Sequence, residues 1–180
     1  MLTSYTATLH PSDRALLRLL QRYETMGEVD MSPYQPLCWG APAVQRYNNN
    51  NGAGWKQAKC SEVLSLLSPE TMRATCDRFP TNLGLDPEAD IEDELDEDLY
   101  DPRFVLPLLS HLLTSDIYID KHIKFLEVGA LNLAMSALAS RDKAMRTAGY
   151  HVLTQLNSAL MSAKLSQEKQ VWIHLVSLLR

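Results

Sequence analysis

Apolar positions recur along the chain in blocks at three- and four-residue spacing, the period of a helix with one buried face. The first block predicts a helix over about Ser12 to Met26. Ser12 is its expected cap, Asp13 suits its positive end, and Gly27 supplies a stop. Leu16, Leu17, Leu19, Leu20 and Tyr23 form its broad apolar face. From Met31 to Trp55 the pattern fails. Pro33, Pro36, Pro42, the asparagines 48–51, Gly52 and Gly54 predict loop. Two short helices follow, about Ser61 to Leu67 and then one capped by Ser68 with Pro69 in its first turn, which Phe79 and Pro80 close near Arg78.

The periodicity sharpens after Tyr100. Asp101 before Pro102 is an N-cap followed by proline at the first helical position. The helix it starts carries Phe104, Val105, Leu108, Leu109, Leu112 and Leu113. Pro107 inside it removes a backbone donor and is expected to kink or loosen it. A short helix over Asp120 to Glu127, a break at Gly129, and a helix over Ala130 to Ala139 come next. The turn Ser140–Arg141–Asp142 leads into a long helix, roughly Asp142 to Lys164. Ser166 caps a last one with Val171, Trp172, Leu175, Val176 and Leu179 inward. Helix starts near Asp101 and Asp142 lie about 41 residues apart, the spacing of a HEAT- or armadillo-type solenoid. The pattern Asp142, Met145–Arg146, Gly149, Leu153 resembles the second half of a HEAT unit, with glycine where that pattern places alanine. Asp142 and Arg146 share a helical face at a spacing that allows them to pair, and they form the expected structural pair. Gly149 costs up to about 1 kcal/mol relative to alanine in an exposed helix, but lets a neighbouring helix come close.

Charge changes the picture in one place. The net charge is −5, yet 10 of the 22 acidic residues fall between Asp86 and Asp101 with no Lys or Arg among them. The rest carries 17 basic and 12 acidic side chains, so a mildly basic body is interrupted by one acidic tract. The tract lacks the turn glycine and ordered spacing of a calcium loop and reads as a solvated linker. The expected organisation is therefore a helical segment with a long Pro/Asn-rich loop over 1–85, an acidic linker over 86–98, and a helical-repeat segment over 99–180. The fold class is all-α, a HEAT/armadillo-like repeat array.

Candidate chemistry adds little. Cys38, Cys60 and Cys76 have no paired or metal-binding spacing and fit free thiols in a reducing compartment. His10, His111, His122, His151 and His174 are scattered over different segments with no ligand spacing. No nucleotide-binding glycine motif or hydrolase nucleophile motif occurs, and Cys38 in LCWGAP reads as a loop anchor. No catalytic residue, cofactor site or metal site is expected, and neither is an enzyme. The N-terminal residues have no signal-peptide pattern, and no apolar run is long enough to span a membrane. Lys121, Lys124, Arg141 and Lys143, with Arg146 nearby, make a candidate positive edge that suits RNA phosphate or a protein surface.

Four blocks carry a family resemblance: LTSYTATLHPSDRALLRLLQRYE (Leu2 to Glu24), PLCWGAPAV (Pro36 to Val44), LYDPRFVLPLLSHLL (Leu99 to Leu113) and MRTAGYHVL (Met145 to Leu153). In order and content they resemble the C-terminal region of the nucleolar pre-ribosomal-associated protein 1 family. Members are far longer, so the chain is expected to be a fragment or a short gene model. The resemblance implies a non-catalytic scaffold in the nucleolus, within the nucleus. It would act early in large (60S) subunit biogenesis and pre-rRNA processing. Its implied partners are other pre-60S assembly factors and a DEAD-box helicase complex, with pre-rRNA contact as a further expectation. The alternative is a general helical-repeat adaptor between proteins of the cytosol or nucleus.

Overall fold

The computed structural model describes residues 5–27, 60–86, 96–114 and 124–162. Among them are six helices: α1 (Pro11–Gly27), α2 (Cys60–Leu64), α3 (Pro69–Asp77), α4 (Pro102–Thr114), α5 (Ala130–Ala137) and α6 (Lys143–Ser162). Residues 124–127 add one more helical turn. The described residues contain no strand, only an isolated antiparallel bridge between Thr8 and Tyr100. The chain is all-α. The long Pro/Asn-rich loop, most of the acidic tract, Lys121 and the expected last helix lie outside the described residues.

Local sequence explains most helix boundaries. The Ser68 side chain accepts from the Thr71 N–H at 3.3 Å, and Pro69 occupies the first turn of α3. Asp101 caps α4: its Oδ1 accepts from the Arg103 N–H at 2.9 Å and its carbonyl from the Val105 N–H at 3.0 Å. The helix runs through Pro107 to Thr114 without a break. Gly129 takes a left-handed φ of 78° just before α5, a conformation that favours glycine.

The start of α1 differs from expectation. The helix begins at Pro11, with Arg14 N–H bonded to the His10 carbonyl at 3.0 Å, so Ser12 lies inside the first turn instead of capping it. Asp13 turns backwards. Its Oδ2 accepts from the Thr6 and Thr8 N–H groups at 3.2 and 2.9 Å and from their hydroxyls at 2.6 and 2.8 Å. The carboxylate is buried and holds the segment before the helix in an extended run. The apolar face of α1 is also narrower than its sequence suggests. Leu17 is buried, but Leu19 and Tyr23 are 50% and 60% exposed.

That extended run matters to the whole core. Tyr5, Ala7 and Leu9 are buried, and the Tyr5 ring meets Phe104 of α4 edge-on at 5.0 Å. Two backbone bonds, Leu9 N–H to Leu99 and Asp101 N–H to Ala7, both 2.8 Å, join it to the entry of α4. Tyr100 continues the link: its N–H donates to Thr75 Oγ1 and its hydroxyl accepts from the Ser68 N–H, each at 2.9 Å. One apolar core therefore takes residues from both sides of the acidic tract, from Tyr5 through Met72 and Leu106 to Leu160. The end of that tract is itself tied down, with Asp96 paired to Arg78 and Glu97 3.6 Å from His10.

In the second half α6 packs against both α4 and α5, and α5 against α3. Met145, Gly149, Val152, Leu156 and Leu160 form the buried stripe of α6 at three- and four-residue spacing. A Cβ on Gly149 would stand 2.8 Å from the Ala134 carbonyl oxygen and 3.1 Å from the Ala137 Cβ. Gly149 thus does what its position suggested: it lets α5 and α6 approach closely.

Candidate interaction surface

The start of α6 is locked by backbone-directed hydrogen bonds. Asp142 Oδ2 accepts from the Met145 N–H at 2.7 Å, capping the helix, and from the Leu85 N–H at 3.2 Å. Ser140 Oγ accepts from the Asp142 N–H at 3.1 Å and donates to the Thr81 carbonyl at 3.3 Å. The Arg141 N–H reaches the same carbonyl at 2.8 Å. Residues 81–85 are thereby stapled to the turn before α6.

Arg146 does not pair with Asp142. Its guanidinium Nη1 donates to the Ser140 and Arg141 carbonyls, both at 2.8 Å, satisfying acceptors that the turn leaves open. Helical spacing put the two side chains within reach of each other, but each finds backbone groups that would otherwise lack a partner. Both residues are structural, through separate contacts.

Of the candidate positive edge, Arg141 and Lys143 come together. Both side chains are exposed and neither enters an ion pair among the described residues. Lys124 is engaged elsewhere, donating to Ser65 Oγ. Lys121 lies outside the described residues.

Beside this edge lies an apolar groove of about 950 Å3, lined by residues of α4 and α6 and by Leu85. Leu85, Leu106, Pro107, Ala144 and Ala148 form much of its lining, and His111 and His151 stand along it. Sequence periodicity could not reveal it, because its lining comes from segments far apart in the chain, around Leu85, Leu106 and Ala148.

The buried ionisable groups elsewhere are packed into the core. Arg103 and Asp101 form an ion pair at 2.7 Å with side chains 0% and 1% exposed. Burial pushes the Tyr5 phenol far above its usual range, helped by the nearby Asp101 and Asp13 carboxylates. Burial likewise raises the Tyr100 phenol and the Cys76 thiol. Among the described residues no three His, Cys, Asp or Glu side chains are grouped to hold a metal ion. No described helix is long and apolar enough to cross a membrane.

Comparison with known proteins decides the family. Over its whole length the chain is 33% identical to human Nucleolar pre-ribosomal-associated protein 1, across 191 aligned residues. It is also 33% identical to the mouse protein of that name, across 193. The chain is a region of the nucleolar pre-ribosomal-associated protein 1 family. It spans 8% of the length of each of these relatives. No protein-family model and no solved structure matches it. Within the family region, the block around Asp101 makes the buried cap of α4. The block around Met145 makes the stripe on which α4 and α5 pack.

Proposed function

We propose that this chain is a non-catalytic scaffold segment of a ribosome assembly factor. In this reading it works in the nucleolus, early in large (60S) subunit biogenesis and pre-rRNA processing, as part of a HEAT/armadillo-like helical array. The observation that carries the reading is the whole-chain identity to proteins named as nucleolar and pre-ribosomal-associated. The site chemistry is in keeping with it. Asp101, Asp142 and Arg146 bond backbone groups or a buried ion-pair partner, and Asp13 bonds the N–H groups and hydroxyls of Thr6 and Thr8, so they hold shape. The exposed pair Arg141 and Lys143 is where this region meets the particle, whose partners are other pre-60S assembly factors, a DEAD-box helicase complex and pre-rRNA.

The test uses the full-length protein tagged in cells. Its co-sedimenting RNA and proteins are identified on a density gradient, for the wild type and for Arg141→Glu with Lys143→Glu. The expected result is sedimentation with large-subunit precursors, weakened by the double change while helicity is retained. Wild-type protein that sediments free, or with small-subunit precursors alone, overturns the reading.

A further inference from the structure

We infer that a polar cleft between the run before α1 and the entry of α4 binds a primary alkylammonium group, carried by a lysine side chain of a partner protein or by a free polyamine. The cleft measures about 420 Å3 and shares no lining residue with the groove beside α6.

One buried oxygen points to a ligand. Asp13 is 2% exposed and lines the cleft. The four hydrogen bonds it accepts from Thr6 and Thr8 all end on Oδ2. Among the described residues Oδ1 accepts none. Nor is Oδ1 one of the polar atoms sealed from both partner and solvent, so it opens on the cleft. A carboxylate fixed through one oxygen, with the other left without a donor, is a preorganised acceptor.

The rest of the lining adds acceptors and negative charge. The Asp98 carboxylate is exposed, and neither it nor the Thr71 hydroxyl has a partner among the described residues. Glu97 stands 3.6 Å from His10 at the rim. Against the carboxylates of Asp13, Glu97 and Asp98 the lining holds no Lys or Arg. His10 adds no fixed charge, because its Nδ1 accepts from the Ser12 N–H at 3.3 Å and so carries no proton. Arg78 is paired with Asp96 and Arg103 with Asp101, while Arg14, next to Asp13 in the chain, is not part of the lining. The balance is negative.

The acceptors select the cation. A guanidinium fork grips a carboxylate through both oxygens, and Asp13 offers one. An ammonium spreads three donors to separate acceptors, which Asp13 Oδ1, Thr71 Oγ1 and the Glu97–Asp98 rim supply. A metal ion fits less well, since these side chains are not grouped as ligands.

The test is an NMR titration of the isotope-labelled full chain, read at the amides of Thr8, Thr71 and Asp98. The probes are a Gly/Ser peptide with one lysine, the same peptide with that lysine acetylated, its arginine counterpart, and spermidine. The lysine peptide or spermidine should shift these amides, and the acetylated peptide should bind about tenfold more weakly. Asp13→Asn, whose amide N–H₂ takes the place of Oδ1, should weaken binding about tenfold. That change can also loosen the run over Thr6 and Thr8. Thr71→Val, and Glu97→Gln with Asp98→Asn, therefore give a second reading at half-buried and exposed positions, each with about threefold loss and unchanged spectral dispersion. Peptide binding assigns the ammonium to a protein, and spermidine binding alone assigns it to a free polyamine. No shift with either, equal binding of the acetylated peptide, or an arginine peptide that binds as tightly overturns the inference. So does undiminished binding in both the Thr71 and the Glu97–Asp98 variants. None of those outcomes bears on gradient sedimentation of the full-length protein, so the two proposals fail separately.

Discussion

Gly149 of α6 sits against Ala134 of α5 so closely that an added Cβ would lie 2.8 Å from the Ala134 carbonyl oxygen. Two effects oppose each other there. Alanine gains up to about 1 kcal/mol in helix propensity, but overpacking against backbone costs about 1–3 kcal/mol. The contact is to backbone, which yields less than a side chain, so overpacking wins. Gly149→Ala should lower stability by about 1 kcal/mol in urea unfolding, and a raised midpoint would show that the helices can part without cost.

Asp142 and Arg146 act through different partners, and conservative changes can separate that arrangement from an ion pair. Asp142→Asn keeps an oxygen to accept the Met145 N–H and should lose well under half of what Asp142→Ala loses. The alanine change should cost about 1–2 kcal/mol as a lost cap. An ion pair with Arg146 would make the two variants equally harmful. Thermal unfolding of both variants decides the matter.

The buried Asp101–Arg103 pair predicts strong non-additivity. Arg103→Met leaves a carboxylate with 1% exposure without its guanidinium partner, and should cost about 3–5 kcal/mol. Adding Asp101→Asn removes the stranded charge while keeping an acceptor for the Arg103 position's N–H. The double variant should therefore be more stable than Arg103→Met alone. A double-mutant cycle in denaturant that shows simple additivity would contradict this account.

Tyr5 governs the alkaline limit. Its buried phenol ionises far less readily in the folded protein than in the unfolded chain, where the value is about 10. The folded state therefore holds more protons above that pH. Stability is full below about pH 10 and falls as pH rises beyond it. Tyr100, raised in the same direction by burial, adds to the slope. The Tyr5 hydroxyl is buried with no hydrogen-bond partner among the described residues, so Tyr5→Phe should be neutral or stabilising at pH 7. The same variant should flatten the loss of stability between pH 9 and 11. A Tyr5→Phe curve parallel to the wild type would place the alkaline sensitivity elsewhere.

Sequence by itself determined the helical elements and many of their ends, because caps and apolar stripes are local. Ser68 with Pro69, Asp101 with Pro102, the break at Gly129 and the stripe from Met145 to Leu160 need only neighbours within a few residues. It also supplied the family, through four ordered blocks that no single element would have identified. Tertiary structure decided whatever depends on residues far apart in the chain. Asp13 looked like a helix-end charge and became the anchor for Thr6 and Thr8. The acidic tract looked like a divide, yet Tyr5 and Leu9 cross to the side of Phe104 and Leu99. Asp142 and Arg146 looked like a pair, but unsatisfied backbone N–H and carbonyl groups at the turn were better partners than an exposed ion pair. The candidate site divides along the same line. Arg141 and Lys143 were legible as cations at a helix start, whereas the groove beside them takes its lining from α4, α6 and Leu85, which only the tertiary structure brings together.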